Sequence, residues 1–286
     1  MGTGANNIAP KVNYSPSNID NLLTEKCHLS VEVGRNHFTY TLFDTLTLTY
    51  VLLRDFDFDA KDIGESTKKI EDIISEEPLF RKEFYSSSLA FVHFPSTLVP
   101  TAFYRQEDGR KVLSFNHKIY DEICAENLQQ MDAVTVYSVP SELLNLVINR
   151  FPNTQIKCGS TIMIEHLLLQ NESKEKVCVS VKNDIIEIVV IKDNKLIIHN
   201  CFAYDTKEDV LYYLLFVFEQ LGFSPEKTDL ILFDDILKSD ETYQLLYDYV
   251  RNISFGSRPN NLNYADNLTE LKQHQYYGLF SQLLCA

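Results

Sequence analysis

The sequence predicts an α/β protein in which one mixed-sheet module is used twice. Residues 29–56 and 177–204 superpose without gaps at an offset of 148, which brings Gly34 over Lys182, Asn36 over Asp184 and Leu42 over Val190. Both stretches show the apolar/polar alternation of half-buried strands, interrupted by short turns. Each is followed by a helical pattern and then by a short apolar run.

In the first copy Leu29, Val31 and Val33 alternate with Ser30 and Glu32, a turn follows at 34–36, and Phe38, Tyr40 and Leu42 resume the alternation. A third strand is expected over 47–56. The stretch ESTKKIEDIISEE, residues 65–77, places Ile70, Ile73 and Ile74 on one helical face, and SLAFVHF, residues 88–94, is the strand after it. In the second copy Val177, Val179 and Val181 precede a turn at 182–184, and Ile186, Ile188 and Val190 continue beyond it. A third strand is expected over 195–203. A helix over 206–223 carries Leu211, Leu214, Leu215 and Phe218, with Gly222 as its C-cap, and DLILFDD, residues 229–235, closes the copy.

Between the copies we expect a polar extension over 101–117, a helix over 118–130, a strand over 133–139, and a helix opened by Pro140, Ser141 and Glu142 and ended by Pro152. Residues 156–169 then start the second half. The division expected is a flexible arm at 1–26, a first half at 27–151 and a second at 152–286, with a terminal helix over 273–286 packing back on the first half. Three meandering strands and a further strand reached through a helical crossover give a mixed sheet in an α/β layer, and five strands are expected in the sheet of each half. That is the ribonuclease H-like order.

Composition narrows the function. With 40 acidic against 26 basic residues the formal charge is −14, which opposes the counterion exchange that drives nucleic-acid binding, so no nucleic-acid partner is expected. The longest apolar run, residues 210–218, is far short of the roughly 20 residues needed to cross a bilayer. No basic stretch followed by an apolar one opens the chain, so a cytoplasmic location is expected. Six cysteines without a C-x-x-C pair then imply reduced, mostly buried thiols.

Two ribonuclease H-like halves in tandem resemble the superfamily of actin, Hsp70 and the sugar kinases, with a cleft between the halves. The meander LSVEVGRNHFTYTLFD, residues 29–44, resembles more closely a bacterial family of unannotated proteins assigned the actin-like ATPase fold, and pilus-assembly proteins of the PilM type are similar in architecture. The resemblance covers roughly residues 22–286 and implies fold far more than function. Nucleotide-binding members place phosphates between two hairpin turns, Asp-x-Gly-Ser/Thr and Asp-x-Gly-Gly-Gly-Thr, and hold magnesium by carboxylates. Here the first turn reads Glu32-Val33-Gly34-Arg35, so a longer carboxylate replaces Asp and an arginine replaces the hydroxyl; only Gly34 fits outright. The second turn has Lys182, Asn183 and Asp184 where glycines belong, and no two of the nine glycines are adjacent to make the expected adenosine-binding pair.

Other chemistries are weakly represented. The glycines exclude G-x-x-x-x-G-K-S/T, G-x-G-x-x-G and G-x-S-x-G. Ser66 and Lys69 match S-x-x-K but read as a solvated helix start. Asp55, Asp57 and Asp59 imitate a calcium loop, yet Ala60 and Ser66 stand where it needs Gly and Glu, which leaves a solvated acidic strand face. A two-metal nuclease would draw on Glu32 with Asp234 or Asp235, too few carboxylates from each half. The seven histidines show no zinc spacing, so no metal site is expected, and His37 beside the first turn is the one to examine for ligand contact. The aromatic clusters are taken as core, with a protein-binding groove as the alternative.

The expectation is therefore a protein of unknown function, a non-catalytic binding or scaffolding protein with a protein partner and no cofactor. The alternative is a divergent nucleotide-binding ATPase or small-molecule kinase, with ATP and magnesium held by Glu32, Gly34 and Arg35. In that case Arg35 would contact a phosphate directly.

Overall fold

The computed structural model describes residues 8–16, 19, 22–170, 175–182 and 184–285. The chain forms two compact units, one of Met1–Ile162, Asn260–Glu270 and Gly278–Ala286, the other of Met163–Pro259 and Leu271–Tyr277. In chain order the strands are β1 (Val12–Tyr14), β2 (Cys27–Val33), β3 (His37–Asp44), β4 (Thr49–Asp57), β5 (Ser86–Phe91), β6 (Ser96–Pro100), β7 (Glu122–Asn127), β8 (Ala133–Val139), β9 (Gln155–Cys158), β10 (Lys176–Lys182), β11 (Ile185–Lys192), β12 (Lys195–Ala203), β13 (Asp229–Asp234), β14 (Asn252–Phe255) and β15 (Asn263–Tyr264). The helices are α1 (Ile63–Glu76), α2 (Gly109–Ser114), α3 (Ser141–Arg150), α4 (Gly159–Leu169), α5 (Lys207–Leu221), α6 (Glu241–Tyr249) and α7 (Tyr277–Ser281).

The first unit is built on a sheet of order β1-β4-β3-β2-β5-β9, with β15 also on β4. The meander β2–β3–β4 is antiparallel, and β5 and β9 run parallel to β2 and β5 respectively. Five strands were expected and seven are present, because β1 and β15 share the outer edge of β4. A nine-residue strand left open there would present a long row of unpaired backbone groups. Thus part of the segment expected as an arm is a strand on this sheet; its residues 1–7, 17, 18, 20 and 21 lie outside the described residues. The strand β9, which the sequence places at the start of the second half, pairs with β5 in this unit.

Period-2 alternation gives the sheet two different faces. Leu29, Val31, Val33, Phe38, Tyr40 and Leu42 pack with Ile70, Ile73 and Ile74 of α1 and Leu143 and Val147 of α3. Asp62 caps α1 by accepting from the Glu65 amide. The opposite face carries His28, Ser30, Glu32, Thr39 and Thr41, and it too is buried. The end of the chain covers part of it: Gln282 Nε2 donates to the Val31 carbonyl at 3.0 Å, Ser88 Oγ donates to Gln282 Oε1 at 2.8 Å, and the Phe280 ring meets Tyr50 at 4.8 Å between centroids. The helix expected over 273–286 is only the short α7 and a 3-10 turn at Gln282–Leu284.

Between β5 and α3 the structure corrects the sequence reading. Residues 118–130 contain the strand β7 and no helix, while a short helix, α2, lies earlier within the supposed polar extension. β7 and β6 flank β8 in a three-stranded antiparallel sheet, and Val99, Leu113, Val134 and Val136 make its small core.

The second unit has the sheet order β12-β11-β10-β13-β14. Val177, Val179, Val181, Ile186, Ile188 and Val190 face Val210, Leu214, Val217 and Phe218 of α5 and Tyr243 and Leu246 of α6. The buried stripe of α5 thus centres on Leu214 and Val217, and Leu211 is only partly buried. Thr206 and Asp209 form a capping box at its start, and Gly222, with φ of +66°, ends it in the left-handed conformation as expected.

The two copies agree in detail. Leu29 pairs with Leu42 and Val31 with Tyr40; 148 residues on, Val177 pairs with Val190 and Val179 with Ile188. Both meanders carry a bulge at the same place, between Leu42 and Phe43 and between Val190 and Ile191. They part at the next loop, where Asp44 pairs with Thr49 but Lys192 pairs with Lys195 across the two-residue turn Asp193-Asn194. Both turn residues have positive φ, 50° and 57°, which suits a tight hairpin following the strand twist.

Candidate functional site

The first turn, residues 34–36, joins β2 to β3 and is held from three sides. The Gly34 amide donates to the His37 carbonyl at 3.0 Å and the Phe58 amide donates to the Asn36 carbonyl at 2.9 Å. The Ser66 hydroxyl, buried on α1, donates to the Arg35 carbonyl. Ser66 is therefore a brace for the turn, not a solvated helix start. The Arg35 side chain is exposed.

Gly34 is not in the left-handed region, so its backbone conformation is open to any residue. Space is what it lacks. A Cβ on Gly34 would lie 2.0 Å from His37 Cε1 and 2.4 Å from Nδ1, so the imidazole rests on the glycine. His37 is 2% exposed and faces the His93 ring at 5.8 Å. In phosphate-binding turns glycine admits a close approach of a phosphate to backbone; in this turn the close approach is made by His37.

Glu32, two residues before Gly34, is 4% exposed and sits on β2 between Thr39 and Ala90. Its Oε1 approaches Gly278, where an added Cβ would come within 3.0 Å. The sequence foresaw Glu32 at this position but not the glycine that leaves room for its carboxylate.

In the second unit the position matching Glu32 is Ser180, whose hydroxyl donates to Asp234 Oδ2 at 2.5 Å. Asp234 Oδ1 accepts from the Tyr277 amide at 3.2 Å, and the Asp234 amide donates to the His274 carbonyl at 2.9 Å, with Asp234 at φ of 63°. The Asp235 amide closes on the Val181 carbonyl at 2.8 Å. Lys182, at the position of Gly34, is 8% exposed with its ammonium 6.0 Å from the Tyr276 ring centre. Asn183 lies outside the described residues; the Asp184 carbonyl accepts from the Tyr204 amide at 2.9 Å.

The acidic run ending β4 is only partly solvated. Asp55 is buried and accepts from Thr39 Oγ1 at 2.6 Å, while Asp57 pairs with Lys11 at 2.6 Å. No disulfide joins any of the six cysteines; four are buried, and Cys124 and Cys201 are half-buried.

Sequence spacing missed one constellation. On the β11–β12 hairpin, Cys201 is directly opposite Glu187 and His199 opposite Val189. His199 Nε2 lies 2.8 Å from Glu187 Oε1 and 3.8 Å from Cys201 Sγ, and the three donor atoms fall within 4.8 Å of one another. Its sequence signal is H-x-C on a strand, which puts both side chains on one face, with a glutamate across the hairpin. Finding it requires the hairpin register, which local spacing does not contain.

A meander, a helical crossover and parallel strands, present twice in the same order, define a duplicated ribonuclease H-like protein of the actin-like ATPase fold. A Bacteroides thetaiotaomicron protein with this fold and unknown function is similar over 92% of this chain and 97% of its own, with a TM-score of 0.78 at 17% identity. The PilM-PilN type IV pilus biogenesis complex contains a chain that is similar over 90% of this one and 96% of its own, with a TM-score of 0.52 at 11% identity. Over residues 16–253 the sequence matches the family described as "Protein of unknown function (DUF3822)", and the chain belongs to that family. No curated protein matches it in sequence. Among the described residues no helix is long and apolar enough to cross a membrane.

Proposed function

We propose that this protein is a non-catalytic, protein-binding module on an actin-like fold, acting in the cytoplasm without a nucleotide. The observation that carries this reading is the His37 imidazole resting on Gly34, 2.0 Å from where a Cβ would stand, so that a side chain of this protein takes up the open face of the turn. Lys182 in place of the second turn's glycine, and Ser180 in place of its carboxylate, support it. Three of the features that a magnesium nucleotide requires are thus replaced by internal contacts, which supports a module that works without one.

A protein partner is favoured over nucleic acid by the charge of −14. The PilM-PilN structure is itself a complex between proteins. In the second unit, α5 and α6 pack side by side and expose Tyr212 (63%), Phe216 (45%), Tyr247 (59%) and Tyr249 (52%), residue types that dominate binding energy at protein interfaces.

A thermal-shift series with ATP, ADP and magnesium tests the first part, since a ligand at a hundred times its Kd stabilises by about 2.7 kcal/mol. No shift is expected at millimolar nucleotide; a magnesium-dependent shift that is lost on changing Glu32 to Gln would overturn the reading. For the partner, a protein captured by the wild-type chain should be lost with the Tyr212→Asp, Phe216→Asp double variant. Equal capture by both would remove this face from the proposal.

A further inference from the structure

The geometry points to a zinc site on the β11–β12 hairpin, with Glu187, His199 and Cys201 as its protein ligands. Strand alternation creates it. Ile186, Ile188 and Val190 turn toward the core of the second unit, so Glu187 falls on the opposite face, and His199 and Cys201 of β12 share that face by their two-residue spacing. The direct opposition of Glu187 and Cys201 brings their side chains together.

The dimensions suit a small tetrahedral ion. Zinc bonds to sulfur, nitrogen and oxygen are about 2.0–2.3 Å long, which sets donor separations of roughly 3.3–3.6 Å around a tetrahedral centre. The observed 2.8 Å from His199 to Glu187 and 3.8 Å from His199 to Cys201 bracket that range. Rotating the glutamate away from the imidazole by a fraction of an ångström lets an ion replace the hydrogen bond between them.

The donor set selects the metal. A thiolate with an imidazole favours borderline-soft ions such as zinc over magnesium or calcium, and the carboxylate disfavours copper(I). One thiolate and one carboxylate neutralise a divalent ion, so the loaded site adds no net charge where the Glu187 and His199 side chains are 9% and 4% exposed. On binding, the Cys201 thiol proton and any proton on His199 pass to solvent, so affinity falls as pH is lowered. Three protein ligands leave the fourth position to water or to a donor from a partner. The ion would tie β12, an outer strand of its sheet, to β11.

The test uses the full chain, stripped with chelator and titrated with zinc and with cobalt(II) as a spectroscopic substitute. Stoichiometric zinc after dialysis is expected, and cobalt should give tetrahedral d–d bands with a thiolate-to-cobalt charge-transfer band. Cys201→Ser should abolish the charge-transfer band while the circular dichroism spectrum is kept, and His199→Gln should weaken binding by at least about tenfold. If Cys201→Ser does not fold, Glu187→Gln takes its place and should weaken binding while the thiolate band remains. Failure to retain stoichiometric metal, or a cobalt spectrum and affinity indifferent to these substitutions, would overturn the site.

Discussion

Lowering the pH from 7 to 5 should destabilise the first unit through His28. The imidazole is 3% exposed and sits between Ser86 Oγ at 2.8 Å and Ser88 Oγ at 2.9 Å, and burial lowers its pKa to about 4. In the unfolded chain the same group titrates near 6.5. Between these values the unfolded state binds the extra proton, so stability is full above about pH 6.5 and is lost as pH falls toward 4. A gap of about 2.5 pKa units corresponds to roughly 3.4 kcal/mol when complete, of which roughly 1.8 kcal/mol is lost between pH 7 and pH 5. Urea denaturation followed by circular dichroism at both pH values, for wild type and His28→Gln, isolates this contribution. The glutamine keeps hydrogen-bonding capacity but cannot titrate, so its loss of stability over the interval should be smaller than wild type by about that amount. Parallel losses in the two proteins would refute the assignment of a buried neutral imidazole.

Three further outcomes are expected. Glu77 accepts from Tyr40 Oη at 2.6 Å and pairs with Arg54, all largely buried, so Glu77→Ala should cost about 3–5 kcal/mol by urea denaturation. Gly34→Ala should cost about 1–3 kcal/mol by forcing the His37 ring aside, and the Gly34→Ala, His37→Ala double variant should be less destabilised than the sum of the singles; strict additivity would show that the ring is not what excludes a side chain. Thr206→Ala removes half of the α5 capping box and should cost about 1 kcal/mol, read as a shift in urea midpoint at unchanged slope.

The doubled meander was legible because period-2 alternation is a local signal and the turns fall at fixed offsets within it. Gly222 was legible for the same reason, as glycine after an apolar helical stripe is a local stop. Residues 118–130 were not. Ile119 and Ile123 stand four apart, as on a helix, but pairing of Glu122–Asn127 with β8 overrides that short pattern, and tertiary context commonly outweighs propensity in so brief a segment. The six residues of α2 are too few to show a helical period. At the turn, sequence located Glu32, Gly34 and Arg35, yet a glycine that admits a phosphate and one that admits an imidazole look alike in one dimension. Ser66 as a turn brace, and the trio of Glu187, His199 and Cys201, depend on which strands and helices become neighbours, and sequence spacing carries no record of that.

The matched bulges after Leu42 and after Val190 turn the chain into its own control experiment. A substitution on β3 at one bulge can be repeated 148 residues away on β11, in a second sheet whose first hairpin has the same register while its third strand is shifted by two residues and covered differently. The two results then compare one local feature in two surroundings within a single chain, one with β1 and β15 on the outer strand and one without.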